Sequence, residues 1–425
     1  MAAAPLAAIA PSAAPTLNVY LDASGTMAGF VQPQLLEKPV GDLLTLLNNG
    51  VGTPPKSVLK WRCFGDRIAP ITGDIDAFSK PMVFSKPTAS PCGNQTSRLD
   101  KVLAEVRKQP VGSLNLIVSD LWLDGNEMAA NPAVALGVPL KEMLKEGRAV
   151  AILGVEAPFN GKITGVPGLG GGSFAGATKR PLFILAVGPE TDLVRLVKGL
   201  KGSGAPSFSD KRLNVALFRG RGRPRIVPLP RVLGGGISGN PGNYQIDKQL
   251  FAQQQGRLER VVRGDERLEP GIVWQGPLRG IALVELQTKE GGWQLLPNRL
   301  PVWPKLTNKP TDNCVPGAER GLPFRLDAAS LTGLPAGSYR VTALMGNKGL
   351  CSPITGTKWL RDWSLSPSEK PQPGLVKALQ LAVLADILEA EDDQLAQQVP
   401  FGKSGKLQLS FRPNQMLQFN LQVKE

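Results

Sequence analysis

Apolar runs of strand length alternate with amphipathic stretches of helical spacing along the first half of the chain. The run Leu17–Leu21, which ends at Asp22, predicts a buried strand. In Thr96–Val106 the apolar residues recur at helical spacing after an opening hydroxyl residue, which predicts a helix. By the same criteria, further strands are predicted at 57–64, 114–118, 149–155 and 181–187, and further helices at 40–47, 139–145 and 190–201.

This alternation of strands and helices is typical of an α/β fold, and it predicts a Rossmann-like, doubly wound, mostly parallel sheet covered on both faces. Ligands of such folds bind at the carboxyl ends of the strands. The residues just after Leu21 and Val118 are therefore the first candidates for a site. The glycine-rich stretch Pro158–Thr178 predicts a long surface loop.

The pattern changes after about residue 205, where short strand-like runs punctuated by Pro and Gly replace the helical spacing. The runs Ile281–Leu286, Trp293–Leu296 and Tyr339–Leu344 predict an antiparallel β domain resembling a sandwich. The phrase LPAGSYRVTAL at 334–344 resembles a strand of immunoglobulin-like modules.

The C-terminal part combines a helical stretch with alternating strands. The apolar run Leu375–Ile387 predicts a buried helix. Segments 406–411 and 416–423 flank an Arg-Pro-Asn turn and predict a hairpin with one polar face. The predicted organisation is a disordered or processed leader at 1–15, an α/β domain at 16–202, a basic linker at 203–235, a β-rich domain at 236–365, and a helix with a hairpin at 366–425.

The composition limits the chemistry that the chain can perform. The 425 residues include no histidine, so neither a Ser-His-Asp nucleophile nor an imidazole-bound zinc site can form. A metal would be held mainly by oxygen, which favours Mg²⁺, Ca²⁺ or Mn²⁺. The net charge of +14 favours acidic partners, such as nucleic acid, an anionic membrane or an acidic protein surface. The alternative is a protein that is basic in composition and has no acidic partner. No run approaches the roughly 18 apolar residues of a transmembrane helix, so no such segment is predicted.

The clearest local motif, D-x-S-x-T, lies immediately after the first predicted strand. It comprises Asp22, Ser24 and Thr26. One carboxylate and two hydroxyls at alternate positions converge on a point when the chain turns after a strand, and Mg²⁺ or Mn²⁺ prefers such oxygen ligands. The motif resembles the first element of the metal-ion-dependent adhesion site of von Willebrand factor A domains, with Thr26 where that family prefers Ser.

Two further elements of that family have counterparts in this chain. The family places a Thr at the start of a later helix, where this chain has Thr96 and Ser97; the residue type favours Thr96, whereas the helical register favours Ser97. The family also places an Asp after the next buried strand, which matches Ser119-Asp120. The residue after that Asp is usually Gly in the family, but here it is Leu121.

The resemblance covers about residues 16–202, and it implies a non-enzymatic binding module. It implies a bound Mg²⁺, or Mn²⁺ or Ca²⁺, whose open position accepts an Asp or Glu of a protein partner. The ligands that it implies are Asp22, Ser24, Thr26, Thr96 or Ser97, and Asp120.

Four cysteines fall as two pairs, one in each half of the chain. None forms a C-x-x-C motif, so the pattern fits two local disulfides in an oxidising compartment, or four buried thiols. The disulfide interpretation favours a periplasmic or secreted protein over a cytoplasmic one. A bond from Cys92 to Cys63 would brace the segment that carries Thr96. The candidate pairs are Cys63 with Cys92 and Cys314 with Cys351.

A basic segment supports an alternative function. Its R-G-R-P core resembles an AT-hook, a peptide that places arginines in a narrow minor groove of DNA. The alternative is therefore a DNA-binding protein that uses the α/β domain as a scaffold, and the simplest other interpretation is a basic linker or edge strand. The arginines concerned are Arg219, Arg221, Arg223 and Arg225.

Overall fold

The chain folds into two units, each built from two separate stretches of sequence. The first unit comprises 1–220 and 353–392, and the second comprises 221–352 and 393–425. The computed structural model describes residues 15–86, 88–122, 132–220, 225–262, 273–275, 279–296, 322–347, 349–352, 356–366, 368–371, 374–375, 377–401, 405–408 and 412–425, so the predicted leader lies outside them except for Pro15.

These units differ from the predicted domains at several boundaries, and residues 353–365, predicted as the end of the β-rich domain, belong to the first unit. The first unit extends past residue 202 because the strand Leu213–Phe218 pairs with the strand Ala149–Pro158. The predicted tail, 366–425, is not a separate body, since its first part belongs to the first unit and its last part to the second.

The first unit contains the α/β part of the chain. Its helices are α1 Pro39–Asn48, α2 Met82–Ser85, α3 Leu99–Lys108, α4 Pro132–Lys145, α5 Glu190–Gly202, α8 Lys358–Asp362 and most of α9 Leu381–Gln397. Its strands are β1 Thr16–Asp22, β2 Val58–Phe64, β3 Ile68–Pro70, β4 Leu114–Ser119, β5 Ala149–Pro158, β6 Lys162–Val166, β7 Gly172–Ala175, β8 Ala177–Gly188, β9 Leu213–Phe218, β21 Ser364–Leu365, β22 Gly374–Leu375 and β23 Ala378–Leu379.

The main sheet of this unit has the strand order β3-β2-β1-β4-β8-β5-β9, and β22 also pairs with β8. Strand β1 is parallel to β2 and β4, as predicted. Strand β8 is antiparallel to both β4 and β5, and β9 is antiparallel to β5. The mixed α/β class is confirmed, but the prediction of a mostly parallel sheet is wrong, because β8 and β9 on one side and β3 on the other pair with their neighbours in antiparallel.

The reason for the difference lies between β5 and β8. The segment predicted as a loop at Pro158–Thr178 contains the short antiparallel pair β6–β7. Because this excursion is compact and contains no crossover helix, β8 returns beside β5 in the opposite direction. It thereby lies between β4 and β5.

Helices cover both faces of this sheet. Alternate residues of β1, namely Leu17, Val19 and Leu21, share one hydrophobic core with buried side chains of α1 and α5. Side chains alternate across a strand, so Asn18 and Tyr20 point to the opposite face. On that face α3 packs against α4, and α4 against β5.

A buried arginine closes the end of α3. The guanidinium of Arg148 donates hydrogen bonds to the carbonyl oxygens of Val106, Arg107 and Gln109 at 2.7, 2.7 and 2.8 Å. The last carbonyls of a helix have no partner within the helix. Arg148 satisfies three such oxygens where water has little access, since its side chain is almost fully buried.

A disulfide joins Cys63, near the end of β2, to Cys92. Both residues are fully buried, and the bond closes a loop with a sequence separation of 29. The loop precedes Thr96 and Ser97, so the bond tethers the segment that leads to α3. Cys314 lies outside the described residues, and with it the predicted pair with Cys351.

The second unit is mainly β-structure. Its helices are α6 Lys248–Gln253 and α7 Ala328–Leu331. Its strands are β10 Arg225–Ile226, β11 Arg231–Leu233, β12 Ile237–Asn240, β13 Asn243–Asp247, β14 Arg257–Val262, β15 Val273–Gln275, β16 Arg279–Gln287, β17 Trp293–Leu295, β18 Leu322–Asp327, β19 Gly337–Asn347, β20 Gly349–Ser352, β24 Gln398–Phe401, β25 Gly405–Gln408 and β26 Arg412–Lys424.

Two sheets of this unit share one hydrophobic core. A seven-stranded sheet contains β12-β13-β26-β19-β16-β17 with β10, and a three-stranded sheet contains β11-β14-β18. Apolar side chains of β14 and β18, such as Leu258 and Phe324, join those of β19 and β26, such as Val341 and Phe419. The arrangement differs from a purely antiparallel sandwich because β10 and β13 pair with β26 in parallel.

The C-terminal predictions need two corrections. The predicted hairpin of 406–411 with 416–423 is wrong, because β25 pairs with β24, while β26 runs through Pro413 and pairs with β19. The predicted alternation within β26 is correct, with Leu417, Leu421 and their apolar alternates buried. Helix α9 begins at Leu381, six residues later than predicted, since the preceding residues form β22 and β23.

Among the described residues, no helix has the length and apolar character needed to cross a membrane.

We expect Arg148→Ala to destabilise the first unit by about 2–4 kcal/mol, because three buried carbonyl oxygens lose a charged donor. The exposed neighbour Arg107→Ala is the control, and its effect should stay below about 1 kcal/mol. Urea unfolding, read by hydrogen exchange on peptides from β1 and β4, measures the first unit separately. Equal effects of the two substitutions would contradict the capping role.

We expect replacement of both Cys63 and Cys92 by Ala to lower the free energy of unfolding of the first unit by about 3–4 kcal/mol, because the unfolded chain loses a cross-link across 29 residues. The same exchange measurement applies. Mass spectrometry of the native protein after thiol alkylation under denaturing conditions provides the control, since alkylation of both cysteines would show that the bond is not formed.

Candidate functional site

One edge of the main sheet collects the chemically interesting residues. Strands β1, β2, β4 and β5 run in the same direction, so their carboxyl ends lie at this edge. Asp22 ends β1, Ser119 ends β4, and Asp120 follows directly. Strand β8 runs the other way, so its beginning, with Arg180, reaches the same edge.

Asp22 is the centre of this group, with 1% of its surface exposed. Its Oδ1 accepts a hydrogen bond from the backbone N–H of Ser24 at 2.8 Å. Its Oδ2 accepts hydrogen bonds from the hydroxyls of Ser97 at 2.8 Å and Ser119 at 2.6 Å. Strand alternation places Asp22 and Ser119 on the same face of the sheet, the face on which α3 begins just after Ser97.

Ser24 and Thr26 follow in a tight turn. A short 3-10 helix, Gly25–Phe30, begins directly after Ser24, and the hydroxyl oxygens of Ser24 and Thr26 lie 3.1 Å apart. The ring of Phe159 packs against Gly29, where a Cβ atom would lie only 2.2 Å from it. The turn is therefore held in place by a contact that only glycine permits.

The structure separates the two hydroxyl candidates at the start of α3. Ser97 reaches Asp22, whereas the hydroxyl of Thr96 donates to Oδ1 of Asp66 at 2.9 Å. The backbone N–H of Thr96 binds the same oxygen at 3.1 Å. Asp66 is exposed, so Thr96 belongs to a surface contact and Ser97 to the buried group.

Asp120 has a different set of partners. Its Oδ1 accepts the backbone N–H of Trp122 at 3.0 Å, and its Oδ2 lies 2.8 Å from a guanidinium nitrogen of Arg180. Both members of this ion pair are at most 1% exposed. The guanidinium carbon of Arg180 also lies 4.9 Å from the ring centre of Trp122 and 5.4 Å from that of Phe159, which are cation–π distances.

Leu121 has an unusual backbone conformation. Its φ of +51° lies in the left-handed region, which glycine adopts more readily than leucine. The loop after Asp120 therefore keeps a conformation suited to the Gly that the family pattern expects at this position, although the residue is leucine.

The electrostatics at this edge are unbalanced around Asp22. Burial, and after it the charge of Asp120, raises the pKa of Asp22 to about 7, although hydrogen bonds from Ser119 and Ser24 act in the opposite direction. Asp120 is paired with Arg180, but no cation contributes to the pKa of Asp22. A buried carboxylate without a counter-charge is either neutralised or bound to a cation.

The donor set fits a divalent cation. Among the described residues no three Asp, Glu or Cys side chains converge, so the ligands here would be carboxylates together with hydroxyls. The 3.1 Å separation of the Ser24 and Thr26 hydroxyls matches the ~3.0 Å expected between adjacent oxygen ligands of an octahedral Mg²⁺ at about 2.1 Å. Such hard oxygens suit Mg²⁺ or Mn²⁺. The residues whose oxygens are available as metal ligands are Asp22, Ser24, Thr26, Ser97, Ser119 and Asp120.

Sequence reasoning missed two residues of this group. Ser119 shares the face of Asp22, a consequence of strand alternation that could have been derived from the sequence. Arg180 follows Lys179 just before the predicted strand at 181–187, and no sequence signal distinguishes its role. Its position depends on the antiparallel insertion of β8, which the sequence pattern does not encode.

The AT-hook-like arginines are not gathered into one described surface. Arg219 is buried and forms an ion pair with Glu190 at 3.1 Å, while its backbone N–H donates to Asp392. Arg225 begins β10, which pairs with β26. Arg221 and Arg223 lie outside the described residues.

Comparisons with protein-family models, with curated proteins and with solved structures found no match to this chain.

Proposed function

We propose that the first unit is a divalent-cation-dependent binding module that captures an acidic side chain of a protein partner. The observation that supports this most directly is the buried carboxylate of Asp22, which lacks a counter-charge and accepts two hydroxyl hydrogen bonds. Gly25, which follows Ser24, is exposed, so the turn after Asp22 reaches solvent. Such a site would select partners by the charge of their side chains and by whether those side chains can reach the sheet edge.

Asp22, Ser24, Thr26 and Ser97 would hold the cation, with the Asp120–Arg180 ion pair beside them. Mg²⁺ suits this set best, and Mn²⁺ or Ca²⁺ also accepts oxygen ligands. Three of the four ligands are neutral hydroxyls, so a bound dication would keep positive charge that attracts a carboxylate. The net charge of +14 would draw acidic partners towards the protein.

Binding accounts for the geometry better than catalysis does. Both oxygens of Asp22 and both of Asp120 are engaged by neighbouring groups, so neither is a free general base. The chain has no histidine to take that role. The Cys63–Cys92 disulfide favours an oxidising compartment, such as the periplasm or the exterior.

DNA binding by the basic segment is less favoured as a function. Arg219, the first of the four arginines, is buried in an internal ion pair and is thus unavailable to a minor groove.

We expect the protein to bind Mn²⁺, and Asp22→Ala to abolish this binding, because the substitution removes the uncompensated carboxylate. Asp66→Asn is the matched control, since it alters an exposed carboxylate that binds Thr96 and lies beside Gly93, and its affinity should equal that of the wild type. Titration calorimetry measures the affinity. Bound Mn²⁺ enhances the relaxation rate of water protons. This enhancement should fall when added acetate displaces water from the ion, and the decrease reports capture of a carboxylate.

Mn²⁺ binding that survives Asp22→Ala would overturn the proposed site. Binding that is lost in Asp22→Ala but unresponsive to acetate would retain a metal site and exclude carboxylate capture.

The Ser97→Ala and Thr96→Ala variants provide a second test at the start of α3. We expect Ser97→Ala to weaken Mn²⁺ binding about ten-fold or more, because one hydroxyl ligand is lost, and Thr96→Ala to leave it unchanged. Calorimetry on both variants at the same ionic strength gives the comparison. The opposite ranking would mean that the start of α3 rearranges when the ion binds.

A further inference from the structure

Arg180 is a buried cation placed beside the candidate metal ligands. It enters from β8, the strand whose reversed direction separates this sheet from a mostly parallel one. Its guanidinium lies 2.8 Å from Oδ2 of Asp120 and is 1% exposed. A parallel strand in the same place would present its carboxyl end to the edge, and Arg180 would lie at the far end of the sheet.

The guanidinium is fixed in position by its surroundings. The rings of Trp122 and Phe159 lie 4.9 and 5.4 Å from its central carbon. The indole N–H of Trp122 donates to the carbonyl oxygen of Thr164 at 2.8 Å, which secures that ring. Arg180 is therefore a permanent charge at this edge and not a side chain that swings between two places.

The ion pair divides the two carboxylates into different electrostatic roles. Asp120 has its charge offset by Arg180, and its second oxygen is held by the N–H of Trp122. Asp22 has hydrogen-bond donors but no cation. The group thus presents one uncompensated negative charge to a divalent ion, although it contains two carboxylates.

We propose that Arg180 is a positioning residue that makes cation binding and carboxylate capture depend on each other. It offsets the charge of Asp120, so the site binds a divalent ion weakly by itself and retains net positive charge for the acid of a partner. The affinity of oxygen sites for such ions increases with the number of charged ligands, so cancelling one carboxylate lowers it. An added carboxylate restores the missing charge, and thermodynamic linkage makes the effect mutual. This inference rests on the proposed function of the same site.

A purely structural role explains the pair less well. A buried ion pair pays a large desolvation cost, and well-packed apolar side chains of similar volume often stabilise a core as much or more. The apolar surroundings of Arg180 would accommodate such a replacement. The pair instead places one positive charge next to the carboxylate of a candidate cation site.

The test measures Mn²⁺ affinity by calorimetry with and without acetate, in the full chain. For Arg180→Gln we expect affinity without acetate at least about ten-fold tighter than wild type, because Asp120 regains its charge as a ligand group. Acetate should strengthen Mn²⁺ binding several-fold in the wild type and by less than about two-fold in Arg180→Gln. Arg180→Lys keeps the charge and should return both values to those of the wild type.

The double variant Asp120→Asn with Arg180→Gln guards against loss of folding in the single variant, which leaves a buried carboxylate without its partner. It removes one negative and one positive charge, so the net charge at the site is unchanged, and Asp120→Asn keeps the shape of that side chain. We expect its Mn²⁺ affinity to stay within about three-fold of wild type, with the acetate effect retained. A loss of ten-fold or more would mean that Asp120 acts as a charged ligand despite Arg180, and would overturn the inference.

The outcomes distinguish this inference from the proposed function. Mn²⁺ binding in the wild type that is abolished by Asp22→Ala, together with Arg180→Gln binding no tighter, would overturn the role of Arg180 alone. If neither the wild type nor any of these variants binds Mn²⁺, with or without acetate, the proposed function and the inference are both overturned.

Discussion

The burial of the Asp22 carboxylate is the constraint on which the candidate site depends. A single charge at the end of β1 is removed from water and held by a backbone N–H and two hydroxyls, which come from three different parts of the chain. These contacts fix where β4 ends and where α3 begins relative to β1. They also leave the charge without a partner, and this is the reason for proposing that a cation binds at the same group.

The rest of the first unit serves to keep these segments in register. Phe159 holds the turn after Asp22 by packing on Gly29, and the Cys63–Cys92 bond shortens the free length of the segment that ends at Ser97. Arg148 anchors the other end of α3 by satisfying its last carbonyls. Each of these contacts joins residues far apart in sequence, so the geometry of the site is a property of the whole unit.

Local patterns predicted most elements of the first unit and several residues of the candidate site, whereas the pairing of distant strands decided the features that those patterns do not specify. Hydrophobic spacing located β1, α3 and β4, and the D-x-S-x-T motif identified Asp22. The choice between Thr96 and Ser97 needed the position of Asp66, which the sequence does not give. The role of Arg180 needed the direction of β8, because strand direction depends on how the β6–β7 excursion folds back. The false hairpin near Pro413 has the same origin, since alternation specifies a face and not a partner.

The backbone conformation of Leu121 affects how easily the loop after Asp120 could change shape at the candidate site. A leucine in the left-handed region costs on the order of 1–2 kcal/mol, and its buried side chain returns a comparable amount through its packing. Rotation of this residue towards an ordinary conformation would relieve the backbone strain, but it would also lose the packing of the side chain. Under the proposed function, an acid that approaches the site would therefore meet Leu121 in a conformation that its side-chain packing opposes changing.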